Sequence, residues 1–221
     1  MIQLRILSHP NRARTLRRGK ERRRRLKGAV TRSRWACFIV LCLFPGSPVG
    51  SAGQEVLTIS TNYYKVTGSS PRELRAALNQ ARPWKARESV DARTRWDITW
   101  TCNVASIEGI CRVNSFETRT TINLMLPRWL PPAEAPPELT NRWKQYIEAL
   151  VRHEEGHFRI ARAATMEMRK RVLALKEDAS CPALTATINR TGQAAIDAFR
   201  SQEMEYDRKT EHGRSQGAHF P

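Results

Sequence analysis

The sequence predicts an α+β fold in which a small antiparallel β-sheet with a short helix precedes a long antiparallel two-helix hairpin. Apolar and polar residues alternate from Trp96 to Val104, which is the period of a half-buried strand. From Glu138 onward, apolar residues instead recur about every 3.6 positions, which indicates amphipathic helices. Between these patterns, residues 127–137 contain five prolines and predict a stiff linker that is neither helix nor central strand.

The β-rich part, residues 53–126, opens with a run over Val56–Val66 that predicts one strand or two. A short helix that ends near Ala81 is expected to follow. Ser70 can cap its first turn, and Glu73 stands at the spacing of a capping box. The first elements of the domain are therefore a strand and a capped helix.

The next two runs predict a β-hairpin, in which the alternating strand at Trp96 is joined to a second β-rich run by a turn at Ile107–Ile110. Such a hairpin brings Cys102 and Cys111 near one another, so we predict a disulfide between them. Cys181 is then the cysteine without a partner in the mature chain. Export to an oxidising compartment favours pairing. The alternative is that Cys102 and Cys111 are unpaired core cysteines.

The α-rich part, residues 138–221, contains two predicted helices at about 138–177 and 183–208. The segment at 178–182 separates them. Both helices have a nearly continuous apolar face, which suits packing against each other and against the sheet. We therefore expect a single domain over residues 53–221.

Most of the positive charge lies in the first 52 residues. The whole chain has a formal net charge of +17, and residues 1–52 hold 13 basic residues and one acidic residue, a net of +12. The remaining residues therefore carry a net of only +5. A modestly basic body does not indicate a surface that tracks phosphates, so no nucleic-acid partner is expected for the mature chain.

The end of this basic leader has the pattern of a secretory signal peptide. Ten apolar residues, Trp35–Phe44, follow the basic run, and small residues stand at Gly50 and Ala52 ahead of the expected cleavage point. Ten helical residues span about 15 Å, half the apolar thickness of a bilayer, so no stable membrane span is expected after cleavage. These features predict a secreted or periplasmic protein, with an uncleaved inner-membrane anchor as the alternative.

The motif that carries chemistry is His153-Glu154-Glu155-Gly156-His157, an HExxH sequence inside the first long predicted helix. Two imidazoles at positions i and i+4 project from one helix face and can share a tetrahedral Zn²⁺ ion. Glu154 lies beside them, where it can accept a proton from a metal-activated water. We therefore predict Zn²⁺ as the cofactor and Glu154 as the catalytic general base. Two ordinary helix histidines bonded to neighbouring carboxylates are the alternative.

A catalytic zinc site needs a third protein ligand, and the expected helix packing indicates where it lies. In an antiparallel hairpin centred near residue 180, Glu203 and Asp207 of the second helix lie level with the two motif histidines. The segment just beyond them contains His212 together with one further glutamate. We expect His212 to be the third ligand, with Asp207 and Glu203 as alternatives.

Two residues of this segment are also candidates for supporting roles. If His212 binds the metal, Asp207 can hold a ligating imidazole through a hydrogen bond. Tyr206 can donate to a developing oxyanion, although a core tyrosine is the simpler interpretation.

Several short motifs are spread over the chain between about residue 60 and Pro221. They are Tyr64-x-Val66-x-Gly68, Glu73-Leu-Arg, the Trp96 strand, Leu126-Pro-Arg-Trp129, Arg152–Phe158, Tyr206-Asp-x-x-Thr-x-His-Gly213 and Gln216-Gly-Ala-x-Phe-Pro221. With these motifs the chain resembles a bacterial family of predicted secreted zinc-dependent proteases, formally a domain family of unknown function. The resemblance implies zinc, export and peptidase-like chemistry, without a particular substrate.

Together these observations predict an exported zinc-dependent metallopeptidase with a single zincin-like domain, acting on a peptide or protein substrate. The edge of the Trp96 strand is a place where an extended peptide can add as a further strand. The alternative is a non-catalytic, zinc-stabilised envelope binding module. In that case a fourth protein ligand, with Asp207 as the obvious candidate, closes the metal site.

Overall fold

The computed structural model describes residues 54–84 and 90–220, and in this part the fold is α+β. The elements in chain order are β1 (Glu55–Val66), α1 (Pro71–Ala81), β2 (Arg93–Ile107), β3 (Ile110–Trp129), α2 (Pro137–Leu173) and α3 (Cys181–Thr210), with a short 3-10 helix at Arg214–Gln216. The expected leader and signal peptide, residues 1–52, lie outside the described residues. Among the described helices, none combines the length and the apolar character needed to cross a membrane.

The three strands form one mixed sheet in the order β1-β3-β2, so β3 is the central strand. β2 and β3 pair antiparallel as the predicted hairpin, and their two-residue turn has positive φ at Glu108 (53°) and Gly109 (80°). β1 pairs parallel to β3, beginning with Glu55 opposite Thr118. The predicted all-antiparallel sheet is therefore wrong for β1. Alternation of apolar residues sets which side chains face the core, but it does not set the direction of the neighbouring strand.

β3 continues through the first three residues of the predicted proline-rich linker. Pro127 lies in this strand, opposite Tyr64 of β1. β2 begins at Arg93, which pairs with Met125, so at Pro127 only β1 remains as a neighbour and the proline lies at a local edge. The connection between the sheet and α2 is therefore shorter than expected, at residues 130–136.

The helices begin and end close to the expected positions. Ser70 caps α1 by accepting a hydrogen bond from the Glu73 backbone N–H at 3.3 Å. The Glu73 carboxylate accepts in turn from the backbone N–H of Ser69 at 2.7 Å, one residue before the position that a capping box uses. α2 and α3 match the two long predicted helices. The finer description, a long antiparallel two-helix hairpin, stays a prediction.

The core consists of two apolar clusters that α2 joins. The first cluster groups α1, the C-terminal ends of β1 and β3, the first half of α2 and the C-terminal tail, where Phe220 is buried. The second cluster groups the sheet, the second half of α2 and α3, and it includes Trp96 and Phe116. On α2, Leu150 belongs to the first cluster and Ala161 to the second. The HExxH motif lies between them, at the junction of the two clusters.

One disulfide connects the β2–β3 hairpin to the start of α3. It joins Cys111 to Cys181 across 70 residues, and Cys102 is a free, half-buried thiol. Beside it, the backbone N–H of Cys111 donates to the Asp178 carbonyl at 2.7 Å, and the Asp178 N–H donates to the Cys111 carbonyl at 3.1 Å. The predicted Cys102–Cys111 disulfide is therefore wrong.

The register of the hairpin explains why Cys102 and Cys111 do not meet. Across the ladder Cys111 is paired with Ser106, whereas Cys102 is paired with Phe116. Cys102 thus lies four residues along β2 from the partner of Cys111, a distance of about 13 Å. Disulfides join residues whose Cα atoms are roughly 4.4–6.8 Å apart, so this pair is too far apart.

Candidate metal centre

The HExxH motif is buried at the junction of the two apolar clusters. His153, Glu154 and His157 have exposed fractions of 3%, 4% and 5%. Buried imidazoles and carboxylates are costly unless they are paired or coordinate a metal. The neighbours of these three side chains therefore decide what the site can do.

Asp207 of α3 completes a group of three potential metal ligands with the two histidines. Its Oδ1 lies 3.2 Å from Nε2 of His153 and 3.0 Å from Nε2 of His157, and the two Nε2 atoms are 3.3 Å apart. Ligand atoms around a tetrahedral zinc, with bonds of about 2.0–2.1 Å, are separated by about 3.3 Å. The three donor atoms are therefore spaced like three corners of such a site, and two imidazoles with one carboxylate can hold a divalent metal ion.

The structure brings Asp207 into this group and leaves His212 beside it. Glu203 and Asp207 lie level with His157 and His153, in agreement with the register expected from the sequence. His212 follows α3 with its side chain 55% exposed, and its Nδ1 is 3.5 Å from Oδ2 of Asp207. His212, the expected third ligand, therefore lies beside the Asp207 carboxylate. Asp207, the alternative, supplies one of the three donor atoms.

The C-terminal segment holds the imidazole of His153 from behind. Nδ1 of His153 is 3.0 Å from Oε1 of Gln216 and 3.4 Å from Oγ1 of Thr210. An Nδ1–H donated to the Gln216 oxygen leaves the Nε2 lone pair directed at the group. Sequence reasoning gave neither residue a site role, although the Gln216 motif and the Thr210 motif were both visible in the C-terminal segment.

The second ring nitrogen of His157 faces Glu203. Nδ1 of His157 is buried without a hydrogen bond, and Oε1 of Glu203 lies 3.3 Å away. The same Oε1 accepts a hydrogen bond from Nε1 of Trp96 at 3.0 Å. The guanidinium of Arg200 stacks on the Trp96 ring, 4.4 Å from its centroid. Glu203 therefore stands behind the imidazole, held by β2, instead of among the three donor atoms.

Tyr206 fills the space beneath the motif. Its ring stacks on that of His153 with centroids 5.1 Å apart, and its hydroxyl donates to the His153 carbonyl at 3.1 Å. A Cβ added to Gly156 would come within 2.2 Å of the Tyr206 side chain, so any larger residue at this position would displace the Tyr206 ring. These contacts support the core interpretation of Tyr206 and leave its hydroxyl engaged.

Glu154 is held by β2. Oγ1 of Thr94 donates a hydrogen bond of 2.6 Å to Oε2 of Glu154, and both side chains are buried. Burial raises the pKa of Glu154, while the Thr94 hydrogen bond and the two histidines act in the opposite direction. Thr94 has no signal in the sequence as a site residue, because its partner is 60 positions away.

The electrostatics of the group favour a bound positive charge. Burial by itself lowers the pKa of His157, but the hydrogen bond to Asp207 and the facing carboxylate of Glu203 outweigh burial and raise this pKa to about 10. Burial by itself raises the pKa of Asp207, but hydrogen bonds from His153 and His157 hold it well below its usual range. A metal ion supplies the same charge and displaces the proton, since only a neutral imidazole can ligate.

The group lines a cleft of about 330 Å³. One wall consists of the consecutive residues Val90–Thr94, which lead into β2. The motif on α2 and residues of α3 line the rest, with His212 also at the cleft. His153, Glu154 and His157 are therefore buried and Asp207 is partly buried, and all four side chains line a cleft that can hold part of a substrate.

A family described as bacterial proteins of unknown function, DUF922, matches the chain over residues 61–213. The matched stretch contains the HExxH motif, Asp207 and His212, and it ends just before Gln216. The comparison with curated proteins and the comparison with solved structures each return no match.

Proposed function

This chain belongs to the DUF922 family of bacterial proteins of unknown function, and we propose that it is an exported, zinc-dependent metallopeptidase. The proposal rests on the convergence of His153, His157 and Asp207, whose donor atoms lie 3.0–3.3 Å apart. A buried glutamate, Glu154, adjoins them in the same cleft. Three protein ligands with such a glutamate are the usual composition of a hydrolytic zinc site.

Zinc is the metal that this set of side chains suits best. Calcium and magnesium prefer oxygen ligands alone, whereas two imidazoles and one carboxylate suit a borderline ion. Gln216 and Glu203 stand behind the imidazoles of His153 and His157, which is the usual arrangement around metal-bound histidines. Zinc in such a site supplies Lewis acidity, which lowers the pKa of a water molecule toward about 7 and polarises a carbonyl group.

Glu154 is the proposed general base. It accepts a proton from the attacking water and passes this proton to the leaving amine of the cleaved peptide bond. Thr94 anchors Oε2 of Glu154 at 2.6 Å, which fixes the carboxylate and leaves Oε1 for the proton transfer. His212 borders the cleft beside Asp207 and is a candidate to contact the substrate there.

An extended peptide is the substrate that the cleft favours. Residues Val90–Thr94 form one wall, and β2 lies at an edge of the sheet as far as the described strands extend. An extended peptide can align with such an edge through main-chain hydrogen bonds, which position a peptide bond without demanding a particular sequence.

Two observations favour catalysis over a purely structural metal site. A structural zinc is normally enclosed by four protein ligands, whereas the described residues supply three donor atoms. Glu203, the nearest candidate for a fourth ligand, instead accepts a hydrogen bond from Trp96 and faces Nδ1 of His157. The group also adjoins a cleft, as a catalytic site requires.

Export is supported by the disulfide together with the signal-like leader. Cys111 and Cys181 are joined, and such bonds persist in oxidising compartments. A periplasmic or secreted location therefore suits both the leader and the folded part of the chain.

The substitution Glu154→Gln tests the proposed chemistry. It removes the base while keeping the shape of the side chain, so we expect one zinc per chain to remain and hydrolysis of a fluorogenic peptide library to fall at least about 10²-fold. Glu155→Gln is the matched control, because Glu155 is the exposed neighbour in the same motif. This control should keep both zinc and activity.

Two results would contradict the proposal. Equal hydrolysis by wild type and Glu154→Gln would remove Glu154 from the mechanism. One zinc per chain without hydrolysis of any peptide by the wild type would favour the envelope binding module instead.

A further inference from the structure

β1 forms one outer edge of the sheet, because the described strands lie in the order β1-β3-β2. It pairs with β3 over all 12 of its residues, Glu55–Val66, without a shift in register. It contains no proline and no glycine, which are common means of blocking a further strand at such an edge. The candidate metal centre lies beside the other edge strand, where Thr94 of β2 holds Glu154.

Two hydrogen bonds at the ends of β1 establish which of its backbone groups face outward. The Gln54 carbonyl accepts from the Thr118 N–H at 3.0 Å, and the Val66 carbonyl accepts from the Leu130 N–H at 2.9 Å. Even-numbered residues of β1 therefore point their N–H and C=O groups toward β3. The odd-numbered residues from 55 to 65 point theirs away from β3, so the outer edge carries a regular row of donors and acceptors.

The odd-numbered side chains bring apolar surface to the same edge. Leu57 packs against the apolar cluster under the helices, while Ile59 and Tyr63 are 53% and 49% exposed. Side chains two positions apart share a face of a strand, so all three lie on the side of the sheet that the helices cover. An added strand would shield these side chains from water as well as pair with the outward backbone groups.

The charges of β1 suit an antiparallel pairing with a second copy of the same strand. A two-fold axis at Ser60 places Glu55 of each copy opposite Lys65 of the other, and opposite charges on directly paired residues attract one another. Lys65 is exposed and no described residue pairs with its charge. Glu55 already faces Arg162 of its own chain at 2.9 Å, and its side chain is 25% exposed.

This register also matches the outward backbone groups and the apolar side chains. It sets odd-numbered residues opposite odd-numbered ones, as the hydrogen-bonded pairs of an antiparallel ladder require. Leu57 then lies opposite Tyr63 of the second copy, and Ile59 lies opposite Thr61. The nearest registers that keep odd residues paired are shifted by two positions, and both lose the two ion pairs at the ends.

We propose that β1 is a dimer interface, at which two copies of this chain pair antiparallel about Ser60 and form a continuous six-stranded sheet. Such an interface uses the same surface on both copies, as two-fold dimers do. The β2 strands become the two outer edges of the joined sheet, so the metal centres lie far from the interface. The inference does not rest on the proposed peptidase function.

Sedimentation equilibrium of the purified chain measures the association. We expect a dimer whose dissociation constant rises at least about tenfold in Ile59→Lys, because this variant places a charge inside the interface. Ile107→Lys is the matched control. Ile107 has a similar exposed fraction, 55%, but it lies at the end of β2, so its substitution should leave the dissociation constant unchanged.

Cysteine cross-linking tests the register. At the two-fold axis Ser60 faces Ser60 of the second copy as a non-hydrogen-bonded pair, with Cα atoms about 4.5 Å apart, which suits a disulfide. In a Cys102→Ser background, Ser60→Cys should therefore form a covalent dimer on oxidation. Thr58→Cys should not, because Thr58 faces Asn62 and lies four positions, about 13 Å, from its own copy.

A chain that stays monomeric up to about 1 mM would overturn the proposal, and so would a dimer that Ile59→Lys leaves intact. A monomer whose odd-numbered β1 amides resist hydrogen exchange would overturn it by assigning the edge to another segment of the same chain. Cross-linking through Thr58→Cys in place of Ser60→Cys would refute the register. If Ile59→Lys fails to fold, the Ser60→Cys result still decides, because that variant adds no charge.

Discussion

The two ends of the layer formed by α2 and α3 are fixed by different kinds of chemistry. Near the end of α2 and the start of α3, the Cys111–Cys181 disulfide ties the β-hairpin to the helices covalently. At the opposite end, His153, His157 and Asp207 meet through contacts among buried polar side chains. The first end needs only an oxidising environment, whereas the second needs a cation, either a proton or a metal ion, to balance the Asp207 carboxylate.

Breaking the covalent end should have the largest effect. Cys111→Ser opens a loop of about 70 residues, and on the chain-entropy model this lowers the free energy of unfolding by about 4 kcal/mol. Urea unfolding of the oxidised protein measures it. Cys102→Ser is the control, because Cys102 is half-buried and forms no disulfide, and it should cost under about 1 kcal/mol. Equal losses in the two variants would show that the disulfide contributes little.

Removing a ligand at the polar end should come next. Asp207→Asn replaces the one anionic donor of the three by a neutral amide, so we expect zinc affinity to fall by more than about 100-fold, measured by competition with a chromophoric chelator. His212→Gln removes the half-exposed neighbour and should change zinc affinity by less than about tenfold. The reverse ranking would assign the third ligand to His212, as the sequence suggested, and leave Asp207 as its support.

Zinc affinity should change less when a residue that positions one of the histidines is substituted. Trp96→Phe removes the indole N–H that donates to Glu203, which in turn faces His157. Loss of such a contact typically lowers metal affinity by roughly tenfold or more. Trp100→Phe is the matched control on the same strand, since its indole bonds to Asn189 away from the site. If both variants bind zinc like the wild type, Glu203 does not orient His157.

A further effect is the pH dependence of the metal-free protein. The pKa of His157 is raised to about 10 in the folded state, so its stabilising contribution is complete below about pH 6.5 and is lost as the pH rises toward 10. Urea unfolding in EDTA should therefore show stability falling over this interval. Saturating zinc should remove the fall, because metal binding displaces the proton. A stability that stays level or rises in EDTA would refute this protonation state.

Local features of the fold were readable from the sequence because short-range interactions decide them. The Ser70 cap, the alternation that begins at Trp96 and the i, i+4 spacing of His153 and His157 each involve residues only a few positions apart. Counting residues around the break between the two long helices also brought Asp207 level with the histidines. That estimate needed only helix geometry and a turn of known position.

The choice between Asp207 and His212 was not readable, because it depends on the backbone just after α3. Glu211 and His212 both have positive φ, 51° and 52°, so the chain turns sharply at the end of the helix. This turn leaves the His212 side chain half-exposed beside the group. Conformations of this kind are uncommon for residues other than glycine, and sequence patterns did not indicate one here.

The sequence by itself determined the order of strands and helices and the position of the HExxH pair. Only the tertiary structure decided the parallel pairing of β1, the partner of Cys111 and the contact of Thr94 with Glu154. The physical reason is range. Periodicity and capping act within a few residues, whereas these three contacts join residues 60 to 70 positions apart, whose meeting depends on how whole elements pack.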